Sequence, residues 1–111
     1  MDFASRAARN EEIFRGVNKQ IDEGAQLHGV TGTTAFHCEC GSTSCFETVS
    51  LAPATYNRVA DQRYHFVVFP GHEIRAIERV VETYPGYLVV EKTGEAREQI
   101  DRDHPQERHR P

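Results

Sequence analysis

The sequence predicts an α+β fold: an N-terminal amphipathic helix followed by a small antiparallel β domain with one short helix. Three observations point there. Apolar residues near the N-terminus recur at helical spacing, and short apolar runs further on are punctuated by Pro-Gly pairs. All three cysteines fall within eight positions, 38–45. A chain of 111 residues, 38% of them hydrophobic, is the size of one domain.

Phe3, Ala7, Asn10, Phe14, Val17 and Ile21 are spaced 4, 3, 4, 3 and 4 and share one stripe of a helix over 5–23, within an N-terminal segment 1–24. Ser5 is the expected N-cap and Gly24 the expected stop. Gly16 weakens the interior by about 1 kcal/mol relative to Ala. The stripe therefore needs a surface to pack on: the protein's own sheet, or a helix of another chain with Asn10 fixing the register. Residues 25–35 hold two glycines and three threonines and read as a flexible linker.

A compact unit is expected over 36–93. Residues 46–51 alternate apolar and polar and read as a strand. Pro53 suits the first turn of a short helix over 53–62, with Tyr56, Val59 and Ala60 on its buried side. Residues 66–69 form an apolar strand stopped by Pro70-Gly71. Residues 77–83 and 87–92 flank Tyr84-Pro85-Gly86 and read as an antiparallel hairpin. The alternative is a helix begun at His72 that takes in Val80 and Val81. The remaining segment, 94–111, has one sizeable aliphatic, Ile100, and is expected to be a disordered tail.

No run approaches the roughly 18–20 apolar residues of a membrane span. The opening MDFASRAARN lacks the apolar core of a signal peptide, so the expected compartment is the cytoplasm. Three thiols in a reducing compartment do not make a disulfide framework. The net charge of −4 is unevenly spread: residues 21–57 contain Asp22, Glu23, Glu39 and Glu47 and no Lys or Arg. Phosphate recognition needs clustered bases, so nucleic acid is a disfavoured partner.

The chemistry resides in His37-Cys38-Glu39-Cys40-Gly41-Ser42-Thr43-Ser44-Cys45. Thiolates this close on a Gly- and Ser-bearing turn can converge on one ion, and tetrahedral zinc with three cysteines asks for one histidine. His104 and His109 lie in the expected tail and His28 in the linker. His37 adjoins Cys38, and in extended chain neighbouring side chains point to opposite sides. His65 opens the 66–69 strand, and His72 follows the Pro70-Gly71 turn at its far end. The expected ligands are Cys38, Cys40, Cys45 and His72, with His65 and then His37 as substitutes. A core from about 58 residues without tryptophan is thin, and a structural metal would staple it. An iron–sulfur cluster held by the three cysteines and one histidine is the alternative cofactor.

The strings AARNEEIFRGVN, FHCECGSTSC, LAPATYNRVADQRYHFVVFPGHE and ERVVETYPGYLVVEK together resemble a family of small, functionally uncharacterised bacterial proteins. In that family an Arg-, Asn- and Glu-rich helix precedes Phe-x-Cys-Glu-Cys, a third cysteine, a Pro-Gly-His-Glu segment and a Val-Val-Glu-Lys strand. The resemblance covers roughly residues 6–92. It implies His72 as fourth ligand and implies no reaction. Two other patterns fail. His37-Cys38-Glu39 is similar to the His-x-Glu of zinc deaminases, but no Pro-Cys-x-x-Cys follows. Cys38-Glu39-Cys40 is similar to the start of a Cys-Asp-Gly-Ser-His iron–sulfur motif, whose remaining residues are absent.

These readings lead to a small non-enzymatic zinc-binding protein, in which a structural site of three cysteines and one histidine staples a module for macromolecular interaction or regulation. A protein partner reached through the N-terminal helix is the expected class, with no membrane partner. Two alternatives stand beside it. One is a metalloenzyme whose zinc is held by the three cysteines and a water, with Glu73 or Glu39 as general base. The other is a thiol-based redox or metal sensor that releases zinc on oxidation.

Overall fold

The computed structural model describes residues 3–29 and 31–103, with side chains from residue 9 onwards. Helix α1 (Phe3–Leu27) leads into a two-stranded antiparallel sheet of β1 (Thr34–His37) and β2 (Thr48–Leu51). Helix α2 (Pro53–Ala60) connects this to a second sheet of β3 (His65–Val68), β4 (Glu78–Tyr84) and β5 (Tyr87–Lys92), in the order β3-β5-β4. Helix α3 (Gly94–Asp103) completes the described chain and packs beside α1. The α+β class and an N-terminal helix ahead of antiparallel strands are thus observed. No helix among the described residues is long and apolar enough to cross a membrane.

The central pair β3–β5 explains its own sequence. Phe66, Val67 and Val68 lie opposite Val90, Val89 and Leu88. Side chains alternate between faces. Val67 and Val89 join Phe36, Val49, Leu51, Tyr56 and Val59 on one side. Phe66, Val68, Leu88 and Val90 join the three cysteines and Ile100 on the other. A strand covered on both faces has an unbroken apolar run, as here. The hairpin β4–β5 turns through Pro85 and Gly86, the latter at φ 91°, a backbone conformation natural to glycine. Residues 72–76 precede the strand without forming a helix. A bulge between Val80 and Glu82 shifts the register there.

Three expectations change. First, α1 is rotated by one residue, about 100°, from the expected stripe. Its buried line is Glu11, Arg15, Asn18, Asp22 and Ala25. Asn10, Phe14 and Ile21 sit half-buried at the edge and Val17 is 43% exposed, while the side chains of Phe3 and Ala7 lie outside the described residues. Glu11, Arg15 and Asn18 find partners on the domain at Lys92, the Arg63 carbonyl and His37, whereas Asp22 is met by Gln26 of α1 itself. Second, the helix starts before Ser5 and passes Gly24, ending instead before Gly29, which takes the left-handed φ of 65°. Residues 25–27 of the expected linker are therefore helical, and Thr34 and Ala35 pair in β1. Third, residues 94–103 of the expected disordered tail form α3, with Ala96, Gln99 and Ile100 buried. Arg63 Nε donates to Asp101 Oδ1 at 2.9 Å and the Tyr64 hydroxyl donates to the same oxygen at 2.6 Å. Residues 104–111, including His104 and His109, lie outside the described residues.

Beneath α1 lies a buried ionic cluster. Lys92, fully buried, donates to the Glu11 carboxylate of α1 and to the Glu78 carboxylate of β4. Glu78 also accepts the Ile74 N–H at 2.8 Å. The Arg15 guanidinium stands 3.9 Å over the Phe66 ring and donates to the Arg63 carbonyl at 3.2 Å. Its planar cation thus covers an aromatic face in place of an apolar side chain.

Candidate metal centre

Cys38, Cys40 and Cys45 lie on the connection between β1 and β2. Cys38 N–H donates to the Glu47 carbonyl at 3.0 Å and Glu39 N–H to the Val67 carbonyl at 2.8 Å, which extends β1 and lays it against β3. Gly41, at φ 83°, then reverses the chain, and Cys45 N–H closes a turn onto the Ser42 carbonyl at 3.2 Å. The turn brings Cys45 back over Cys38 and Cys40.

His72 arrives from the other side. After β3 the chain turns through Pro70 and Gly71, the latter at φ 93°, and His72 N–H donates to the Phe69 carbonyl at 2.9 Å. The ring stands edge-on to Phe69, with centroids 5.3 Å apart. Its Nδ1 lies 3.7 Å from Cys38 Sγ and 3.5 Å from Cys45 Sγ. One ligand atom from each of Cys38, Cys40, Cys45 and His72 lies within 4.8 Å of the other three, so the group can hold a metal ion. The three cysteines are buried and free, without a disulfide.

The cluster's electrostatics suit a cation. The Cys38 thiol bonds to Cys40 and so draws the Cys40 thiol down to about 4, against the opposing effect of burial. The same bond, together with burial, pushes Cys38 up, and burial pushes Cys45 up. A bound cation would favour deprotonation of all three sulfurs. The Phe69 N–H donates to Cys38 Sγ at 3.1 Å, a contact that stabilises charge on that sulfur.

The other candidate histidines point elsewhere. His37 stacks on Phe14 of α1 at 4.4 Å, and its Nδ1 meets the Cys38 carbonyl at 2.6 Å. His65 pairs with Glu91, Nε2 to Oε2 at 3.2 Å. His28 is exposed beyond the end of α1.

Of the two carboxylates considered as a general base, Glu39 is taken up by other partners and Glu73 by one backbone N–H and an exposed arginine. Glu39 stands between two cysteines, and alternation along the strand sends its side chain away from theirs. Buried there, it accepts Asn18 Nδ2 at 2.9 Å, the Tyr56 hydroxyl at 2.7 Å and the Val67 N–H at 2.9 Å. Burial first, then the charge on Glu39, raises the Tyr56 pKa, so the phenol keeps its proton and donates. Glu73 accepts the Gly71 N–H at 2.8 Å and lies 3.5 Å from Arg75.

Asn18 is the residue sequence reasoning passes over. Its amide donates to the His37 carbonyl at 2.8 Å and accepts the His37 N–H at 2.7 Å. Asn10 donates to the Gly41 carbonyl at 2.9 Å. The available signal is the position of Glu11, Arg15, Asn18 and Asp22 at spacings of 4, 3 and 4, which makes a polar stripe as regular as the apolar one.

No family model matches the chain, and no curated protein or solved structure matches it significantly.

Proposed function

We propose that the chain is a non-enzymatic zinc protein in which a structural site of three cysteines and one histidine staples a module that engages another protein. The observation that carries the metal assignment is the sulfur–nitrogen spacing. Zinc–sulfur bonds of about 2.3 Å and zinc–nitrogen bonds of about 2.0–2.1 Å at the tetrahedral angle separate sulfur from nitrogen by about 3.6 Å. The two separations at His72 Nδ1 are 3.7 and 3.5 Å. The chemistry of the donors agrees: three thiols and an imidazole are a common zinc set. A cluster of several irons would spread its ligands more widely than a single ion does, and this favours zinc over the iron–sulfur alternative.

Zinc held here would bind Cys38, Cys40, Cys45 and His72 and tie the β1–β2 turn to the end of β3. The commitment of Glu39 to backbone and side-chain donors supports a structural role over a hydrolytic one. The partner reading is supported by Ile13 and Val17, adjacent on the outer face of α1 and exposed. The resemblance to small bacterial proteins with Pro-Gly-His-Glu supports His72 as ligand.

The test is metal analysis of the purified protein with X-ray absorption at the zinc edge. One zinc per chain, surrounded by three sulfurs and one nitrogen, is expected; no metal, or several irons with visible absorbance, overturns the assignment. With zinc retained, affinity purification is expected to recover a stoichiometric protein that Ile13→Ser with Val17→Ser loses. Recovery of no partner by the intact protein overturns the interaction half of the reading.

A further inference from the structure

We infer that zinc occupancy and the docking of α1 are energetically coupled, so that α1 is the part of the molecule that responds to loss of the metal. The inference rests on the zinc reading above and adds its regulation. The connection is short and polar. Three α1 side chains reach the segment 37–41, which includes Cys38 and Cys40. Asn10 holds the Gly41 carbonyl at 2.9 Å, and Asn18 holds both backbone groups of His37 and the Glu39 carboxylate. Phe14 lies flat on the His37 ring, with planes 18° apart. Each contact requires the strand end that positions the two cysteines to be in place.

The nature of the buried face makes the coupling conditional. Glu11, Arg15, Asn18 and Asp22 line it, and Glu11, Arg15 and Asn18 reach across to Lys92, the Arg63 carbonyl and His37, so much of the hold on α1 is directional. Such contacts weaken steeply when their partner moves by an ångström or two. When the metal leaves, only the contacts of His72 Nδ1 with Cys38 and Cys45 and the Phe69 N–H on Cys38 tie the 38–45 turn to the end of β3, and the Gly41 and His37 carbonyls that hold Asn10 and Asn18 are less firmly placed. The polar stripe can return to water at modest cost. The other attachments, among them Lys92 to Glu11, Arg15 over Phe66 and on the Arg63 carbonyl, Ile21 against the first core and the packing of α1 on α2 and α3, do not involve the turn and set the energy against which release occurs. Coupling of this kind is reciprocal: residues of α1 that touch no metal must then tune metal affinity.

The experiment uses the zinc-loaded full chain. Zinc is withdrawn with a graded chelator while hydrogen exchange is followed in α1 and β5. Protection in α1 is expected to fall at a lower chelator concentration than protection in β5. In parallel, zinc affinity is measured by chelator competition. Asn18→Ala is expected to weaken it by about ten- to a hundredfold and Asn10→Ala by about tenfold, with cobalt-substituted spectra still showing three sulfurs and one nitrogen. Gln20→Ala, on the outer face of α1, is expected to leave it unchanged. Simultaneous loss of protection in α1 and β5 overturns the inference, as does a folded Asn18→Ala protein with unaltered affinity. If Asn18→Ala does not fold, Asn10→Ala and the exchange experiment decide. Absence of zinc from the wild-type protein removes both this inference and the zinc reading, whereas tight zinc with an indifferent α1 removes this inference alone.

Discussion

The Tyr56 hydroxyl donates to Glu39 Oε2 at 2.7 Å across the first core, tying α2 to the residue that separates two of the cysteines. All partners of that carboxylate are donors, and this sets the order of two substitutions. Tyr56→Phe removes one donor and leaves Asn18 on the same oxygen, a loss of about 1.5–3 kcal/mol for a bond to a charged group. Glu39→Gln must turn its amide NH2 toward one or more donors and is expected to cost more. Denaturant titration of the two variants checks this. Equal losses, or a smaller loss for Glu39→Gln, would show that the carboxylate is not the acceptor the geometry makes it.

A second prediction concerns the buried cluster of Glu11, Lys92 and Glu78. Burial raises the Glu11 pKa well above the usual carboxylate value of 4.5, against the lowering influence of Lys92. The folded state therefore holds this proton more tightly than the unfolded state. The stability it contributes is fully present below about 4.5 and is lost as pH rises through the folded pKa. Glu11→Gln removes that dependence while keeping an acceptor for Lys92. The Tm of Glu11→Gln relative to wild type should therefore rise between about pH 5 and about pH 8. A constant offset across that interval would mean that Glu11 is ionised in the fold throughout. Lys92→Met, which leaves the buried Glu11 and Glu78 side chains without their shared donor, should cost about 3–5 kcal/mol at neutral pH.

How much of this is legible in the sequence depends on what each residue reports. Phe66, Val67 and Val68 announce a strand covered on both faces, and Pro85-Gly86 announces the turn of its neighbour, because both signals are local. The gathering of Cys38, Cys40 and Cys45 is legible for the same reason, and Gly71 before His72 marks where a distant chain turns back. The orientation of α1 is not local. Its apolar stripe is real, yet the helix buries Glu11, Arg15, Asn18 and Asp22, and the partners Lys92, Arg63 and His37 are contributed by three other parts of the fold. A polar residue looks exposed until its partner is known. Glu39 misleads in the same way: beside two cysteines it suggests catalysis, whereas it holds Asn18, Tyr56 and Val67.

The C-terminal segment yields a third prediction. A count of apolar residues over 94–111 is low, but Ala96 and Ile100 are four apart on one face of α3 and both are buried. Ile100 packs in the cluster that contains the three cysteines. Ile100→Ala should therefore destabilise the protein by about 2–4 kcal/mol, the range for a large-to-small change in a core. A substitution in a disordered tail would change nothing. Chemical denaturation of the variant separates these outcomes, and an unaltered midpoint would detach α3 from the core.

The last prediction separates the histidines. His72→Ala leaves three sulfurs and an open fourth position, so it should weaken zinc binding by more than the roughly hundredfold that loss of a supporting contact costs. His65→Ala breaks only the pair with Glu91, a carboxylate already held by Arg79 at 2.7 Å, and should leave zinc affinity unaltered. His37→Ala removes the stack on Phe14 and lies between these two, because it acts on α1 and only through α1 on the turn. Structural zinc supplies on the order of 10 kcal/mol of apparent binding energy, comparable with the whole stability of a small domain. The order of zinc affinities should therefore reappear as the order of Tm values in the presence of zinc, with His72→Ala lowest. Measured by chelator competition and thermal melting on the same preparations, a His65→Ala protein as weak as His72→Ala would move the fourth ligand to β3. The approach of His72 Nδ1 to within 3.5 Å of Cys45 would then be packing alone.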